Sequence, residues 1–142
     1  FPGLEMTYHF GYTHARYTSG RLSSNGTEES LDGKRQVFTP DMTSMFALQY
    51  SFTFPKPLGI NAFVRGEWFY FGKQYFDLSN IQEQSSYQMV NANIGISYSF
   101  FSISVWLRNV TGTRYIAYAY DFGAARLGDP YTYGVSMKFR FR

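Results

Sequence analysis

Few side chains in this sequence could do chemistry, and their spacing argues against most of it. The two histidines, His9 and His14, fall in a stretch that alternates apolar and polar residues from Leu4 to His14. Their odd offset on a strand turns His9 to the polar face and His14 to the apolar face. They therefore suit neither a metal pair nor a catalytic dyad. His14 is expected as an interfacial ring and His9 as a polar lining residue near Glu5. The acids Glu28, Glu29 and Asp32 lack the one-three-five oxygen pattern, with its glycine and closing glutamate, that a calcium loop needs. Absence of cysteine removes thiolate metal sites, disulfides and cysteine nucleophiles. No nucleophile, base and orienting group converge. The expectation is no catalytic residue, no metal site and no cofactor.

The chemistry must then lie in the aromatic residues and in the elements that carry them. Phe, Tyr and Trp make up 21% of the 142 residues. Rings with an apolar body and a polar tip favour places where one end is dry and the other wet. A formal charge of +3 without a basic run gives no footprint for nucleic acid. No stretch approaches the roughly 18 apolar residues of a membrane-spanning helix. Strands that alternate lipid-facing and lumen-facing residues would average to the same middling hydropathy.

Period-two alternation recurs throughout, and the chain reads as all-β. The last strand sets Tyr131, Tyr133, Val135, Met137, Phe139 and Phe141 against Thr132, Gly134, Ser136, Lys138, Arg140 and Arg142. Before it, Phe101–Arg108 and Val90–Phe100 alternate in the same way. Further upstream are Ile60–Lys73, blurred by Phe63, Phe69 and Phe71, then Met42–Phe54 and Leu4–His14. These six strands are about 10 to 14 residues long, near the nine to eleven of a tilted membrane strand and longer than the five or six usual in soluble proteins.

The connections sort by length. Tyr17 to Asp41, Gln74 to Ser86 and Thr111 to Pro130 are long and polar, whereas Pro55 to Gly59 and the Phe100/Phe101 junction are short. Outer-membrane barrels place short turns at the periplasm and long loops outside. The final strand would then end near Phe141 at the periplasmic rim. Trp68 and Tyr70 would form an upper aromatic girdle, and Phe54, Phe100, Phe139 and Phe141 a lower one. Arg65, Glu67, Lys73, Lys138 and Arg140 are expected on the lumen side. The reading is an antiparallel up-and-down meander of about six long strands, part of a larger transmembrane β-barrel, since single-chain bacterial barrels start at about eight strands. The alternative is a small soluble β-barrel or sandwich binding an apolar ligand.

Leu107-Arg108-Asn109-Val110-Thr111-Gly112-Thr113-Arg114-Tyr115, followed by Gly128-Asp129-Pro130-Tyr131-Thr132-Tyr133-Gly134, resembles the lead into the closing strands of TonB-dependent receptors. Asp32-Gly33-Lys34-Arg35 with Thr39-Pro40, and Gly72-Lys73-Gln74-Tyr75-Phe76, are similar to the same family. Tyr131 stands where the family pattern has a basic residue, and Arg142 follows Phe141 where the family commonly ends on an aromatic. The resemblance implies that residues 1–142 are the C-terminal strands of a roughly 22-stranded receptor barrel, with the plug domain and earlier strands outside this sequence.

It further implies an outer-membrane location and TonB-dependent uptake of a siderophore, cobalamin or glycan-type substrate by the parent protein. The implied partners are outer-membrane lipid, the TonB complex through the parent's N-terminal part, and the barrel-assembly machinery. That machinery would read a terminal signal resembled here by Gly134, Met137, Phe139 and Phe141. Ligand contacts in such receptors are expected from outer loops, which nominates Tyr115, Tyr118, Tyr120, Asp121 and Arg126. The isolated piece, with two unpaired sheet edges, is expected to self-associate.

Overall fold

The computed structural model describes residues 2–24, 26–120 and 122–141. These form twelve strands: β1 (Leu4–Tyr12), β2 (Arg21–Ser24), β3 (Thr27–Ser30), β4 (Met42–Thr53), β5 (Asn61–Phe71), β6 (Gln74–Tyr75), β7 (Glu83–Gln84), β8 (Tyr87–Tyr98), β9 (Phe101–Arg108), β10 (Ile116–Ala119), β11 (Ala125–Leu127) and β12 (Thr132–Phe139). Six long ones build a single antiparallel sheet in the order β1-β4-β5-β8-β9-β12, each strand beside its predecessor in the meander. The other six pair locally as β2-β3, β6-β7 and β10-β11.

The register explains why these sequences form one sheet. Met137, Ile103, Ile96, Ala62 and Phe52 line up across five strands, and the next row on the same face is Val135, Val105, Ile94, Val64, Tyr50 and Leu4. A one-residue slip anywhere would throw a whole strand's apolar set to the other face. The opposite face carries Gly134, Trp106, Asn93, Arg65, Gln49 and Glu5 in one row and Ser136, Ser104, Gly95, Phe63 and Ser51 in the next. Phe63, Phe69 and Phe71 belong to this second face, so they do not break the alternation. Arg65 and Glu67 pair on it at 2.8 Å.

The sheet is one layer. Among the described residues no large side chain is fully buried, and Val64, Ile94, Ile96, Val135 and Met137 stand exposed. A soluble sandwich or small barrel would cover one face with a second layer, and the described residues form none. The span from Ser44 to Phe54, at ~3.3 Å per residue and a tilt of roughly 40°, rises about 25 Å, the height of a barrel's apolar band. Trp68 and Tyr70 pack together at one end, Trp68 Nε1 donating to Gln88 Oε1 at 2.9 Å. Phe101, Phe139 and Phe141 follow one another at the other end.

Several boundaries differ from the sequence reading. β1 stops at Tyr12, so His14 sits in the following connection and not on an apolar strand face. β5 ends at Phe71, and Lys73 lies in the loop, ion-paired with Glu83. The short turn after β8 is Ser99–Phe100, with Ser99 at φ 51° and Phe101 already in β9. β12 ends at Phe139, leaving Phe141 beyond it, and Arg142 lies outside the described residues. The long strands run from 8 to 12 residues, shorter than the alternation alone implies.

Candidate functional site: the loop cluster at one rim

Each long connection rises from the same rim and is structured by its own hairpin: β2-β3 after β1, β6-β7 after β5, and β10-β11 after β9. The first two are clasped together. Lys34 Nζ donates to Glu29 Oε1 at 2.7 Å and to the Ser79 carbonyl at 2.8 Å, and the Ser79 hydroxyl donates to Glu29. Asn80 Oδ1 accepts from the Arg35 amide at 2.6 Å, while its Nδ2 donates to the Arg35 carbonyl at 3.0 Å. Arg35 also pairs with Asp41 at 2.9 Å. The hydrogen bonds from Lys34 and then Ser79 hold the Glu29 carboxyl below its ordinary range. The Glu83 carboxylate holds the Lys73 ammonium above its own.

The third connection is organised by Asn109, which is 3% exposed and adopts φ 50°. Asparagine tolerates that left-handed backbone better than most residues. Its Nδ2 donates to the carbonyls of Thr113 at 2.9 Å and Asp129 at 3.0 Å, and its Oδ1 accepts from the Thr113 amide at 2.9 Å. One side chain thus ties the start of the loop to its return. Tyr115 closes the same junction: its carbonyl accepts from the Gly128 amide at 2.8 Å, and its ring lies so close over Gly128 that a Cβ there would enter it. The two halves of the motif read from the sequence meet in space.

The nominated loop residues separate into two groups. Tyr115 stacks on Tyr87 at 4.4 Å, and Phe71 stacks on Tyr87 at 5.0 Å, so this ring is engaged at the loop base. Tyr118 and Tyr120 stand further out, their centroids 4.5 Å apart. Arg126 is the cross-strand partner of Tyr118, which puts it on the same face of the β10-β11 hairpin. Asp121 lies outside the described residues. Phe38 from the first connection stacks on Tyr118 at 5.0 Å and meets Phe76 of the second at 5.7 Å. Phe122 continues the row from Tyr120 at 5.2 Å and is 80% exposed. A line of rings therefore runs from the buried Phe76 to the loop tip.

Sequence reasoning missed Phe38 and Phe122, whose only signal is an aromatic residue in a polar connection, and singled out Phe76 only as the end of the family-like stretch Gly72–Phe76. Among the described residues no three of His, Cys, Asp and Glu gather as metal ligands. Gly134, in the nominated terminal signal, lies directly beneath the Trp106 ring, which leaves no room for a Cβ. Met137 and Phe139 face the apolar side, and Phe141 follows them.

A single-layer sheet with an open apolar face, aromatic ends, short turns at one rim and structured loops at the other is a segment of a transmembrane β-barrel wall. The family model for the TonB dependent receptor-like β-barrel matches residues 2–110, and the chain belongs to that family. It lies in the bacterial outer membrane, and the family is one of receptors, not enzymes. The crystal structure of the siderophore receptor PiuA from Acinetobacter baumannii superposes with a TM-score of 0.80 at 17% identity, covering 98% of this chain. The chain spans 20% of the length of that receptor.

Proposed function

We propose that residues 1–142 are the C-terminal strands of a receptor that imports a nutrient across the outer membrane by TonB-dependent transport, with a siderophore as the substrate class favoured over cobalamin or a glycan. The family match supports the transport class, and the siderophore receptor among similar structures supports the substrate. The observation that carries the reading is the sheet itself, apolar across one whole face and crowned at one rim by three interlocked loops. The plug and the segment that engages TonB would belong to the parent's N-terminal part.

In this reading Tyr118, Tyr120 and Arg126 present a π-rich, cationic face to a ligand entering from outside. Asp121 belongs to the same loop, and Tyr115 holds the loop base. Flat rings contribute contact area at low conformational cost, and the guanidinium suits an anionic donor group. Gly134, Met137, Phe139 and Phe141 form the terminal signal for the barrel-assembly machinery. The strand edges of β1 and β12 drive self-association when the segment is isolated.

The test is ligand binding and uptake by the full-length protein carrying Tyr120→Ala with Arg126→Gln. The expected outcome is a loss of ferric-siderophore affinity of tenfold or more, with unchanged amounts of assembled barrel. Wild-type protein that binds none of the ferric siderophores of its host, but takes up cobalamin or a glycan, would overturn the substrate assignment. Unaltered affinity in the variant would overturn the site.

A further inference from the structure

Four residues other than glycine adopt positive φ among the described residues: Phe38 at 56°, Asn80 at 57°, Ser99 at 51° and Asn109 at 50°. Three have a local reason. Asn80 and Asn109 tolerate the left-handed backbone and use it to bond their side-chain amides across a loop. Ser99 turns the short junction between β8 and β9. Phe38 has no such reason. A bulky ring is among the side chains this region disfavours most, and a phenyl group offers no polar atom for a local bond. A backbone held in such a conformation persists only where its surroundings over-determine it, and such residues gather at ligand clamps.

The surroundings of Phe38 are the meeting point of the three long connections. Its amide donates to the Tyr75 carbonyl of the second connection at 2.8 Å, and the nearby Gln36 amide donates to the Ala15 carbonyl at 3.1 Å, so the main chain is fixed from both sides. Its ring lies against the buried Phe76 and stacks on Tyr118 at 5.0 Å and 16°. The β10-β11 hairpin has little else to hold it. Its base is fixed by the Ile116 amide, which donates to Gln84 Oε1 at 2.6 Å, and by Tyr115 on Tyr87. Beyond Ile116, no hydrogen bond or ion pair among the described residues reaches the hairpin from another connection. Its strands have 4 and 3 residues, and a lone two-stranded hairpin is at best marginally stable.

We infer that Phe38 is a positioning residue for the ligand face of the last loop. Its ring, aimed by the left-handed backbone and backed by Phe76, tethers Tyr118, and through Tyr118 it sets Tyr120, whose ring is 4.5 Å away. One determinant of affinity then lies in the first connection, outside the hairpin that meets the ligand. The inference rests on the reading that this hairpin does meet the ligand. An aromatic pair of this geometry shifts the opening equilibrium of the hairpin about fivefold.

The experiment compares hydrogen exchange and ligand affinity in the full-length protein in detergent. Phe38→Gly removes the ring and suits the left-handed backbone, so the first connection keeps its path. Without ligand, the Tyr120 amide, which donates to the Ala124 carbonyl at 2.8 Å, should exchange about fivefold faster, while the Gly128 amide at the loop base keeps its protection. Phe38→Tyr should restore the wild-type rate. Unchanged exchange at Tyr120 in Phe38→Gly, or equal loss of protection at Tyr120 and Gly128, overturns the inference whatever the wild type binds. Affinity is read with ferric tris-catecholate and ferric tris-hydroxamate siderophores. Phe38→Gly should weaken binding about fivefold in the wild-type background and add nothing in Tyr118→Ala. Equal weakening in both backgrounds overturns the inference, because Phe38 would not be acting through Tyr118. A wild type that binds neither probe counts against the proposed substrate, and the exchange result alone then decides the tether.

Discussion

Replacing Asn109 with alanine should release the whole β10-β11 loop without unfolding the sheet. The substitution removes a long hydrogen bond from the Thr111 hydroxyl at 3.4 Å and three shorter ones, to the Thr113 carbonyl, the Thr113 amide and the Asp129 carbonyl. At about 1 kcal/mol each the three shorter ones contribute roughly 3 kcal/mol. Alanine at φ 50° adds about 1 kcal/mol of backbone cost. A total near 4 kcal/mol raises the local opening constant by almost a thousandfold. Hydrogen exchange of the full-length protein in detergent, followed in peptides across residues 111–130, reads this directly. The informative amide is that of Gly128, which donates to the Tyr115 carbonyl and makes no bond to Asn109. Its deprotection therefore reports loop opening and not the loss of its own acceptor. Val110→Ala, at the exposed neighbour, should leave it protected. If the Gly128 amide keeps its protection in Asn109→Ala, the account of this junction is refuted.

Three further outcomes follow from the same structure. Gly128→Ala should cost about 1–3 kcal/mol of local stability by driving a Cβ into the Tyr115 ring, and adding Tyr115→Ala should cost less than the sum of the two single changes, as a double-mutant cycle would show. Glu29 has a folded pKa depressed below 4.5, so its contribution to the clasp between the first two loops is present above that value and lost as pH falls through the folded pKa. Lys73 has a folded pKa raised above 10.5, so its contribution is present below that value and lost as pH rises through it. Exchange protection around Ser79 and Asn80 should therefore fall on acidification below about pH 4.5, and Glu29→Gln should abolish that limb. Ile94→Arg, on the apolar face, should reduce barrel stability in lipid by roughly 2–4 kcal/mol, whereas Ser104→Arg on the opposite face should be tolerated. Equal tolerance of both would contradict the facing.

The long strands are legible in the sequence because each must present one apolar and one polar face, and that demand writes itself as period two. β5 was harder to read, since a lumen wall is not uniformly polar: Phe63 covers Gly95, Phe69 sits between Met45 and Met89, and Phe71 between Thr43 and Tyr87. The small hairpins escaped because strands of two to four residues are too short to show periodicity. Asn25-Gly26 between β2 and β3 was the one local signal for them. The motif around Asn109 and Gly128 was visible as a pattern. Its cause, a buried amide and a ring over a glycine, needs the fold, because the two halves lie on either side of the loop. The line of rings from Phe76 through Phe38 to Phe122 joins three connections, and no local window of the sequence contains it.

The central claim is that the exposed apolar face is a lipid face. This chain has no cysteine, so single cysteines along β8 from Val90 to Ser97 can each carry a spin label in the full-length protein in lipid, provided the rest of the protein is cysteine-free. Oxygen accessibility should be high at positions 90, 92, 94 and 96 and low at 91, 93, 95 and 97, with a period of two. Positions 90, 92, 94 and 96 reached as readily by a water-soluble quencher as by oxygen would contradict it.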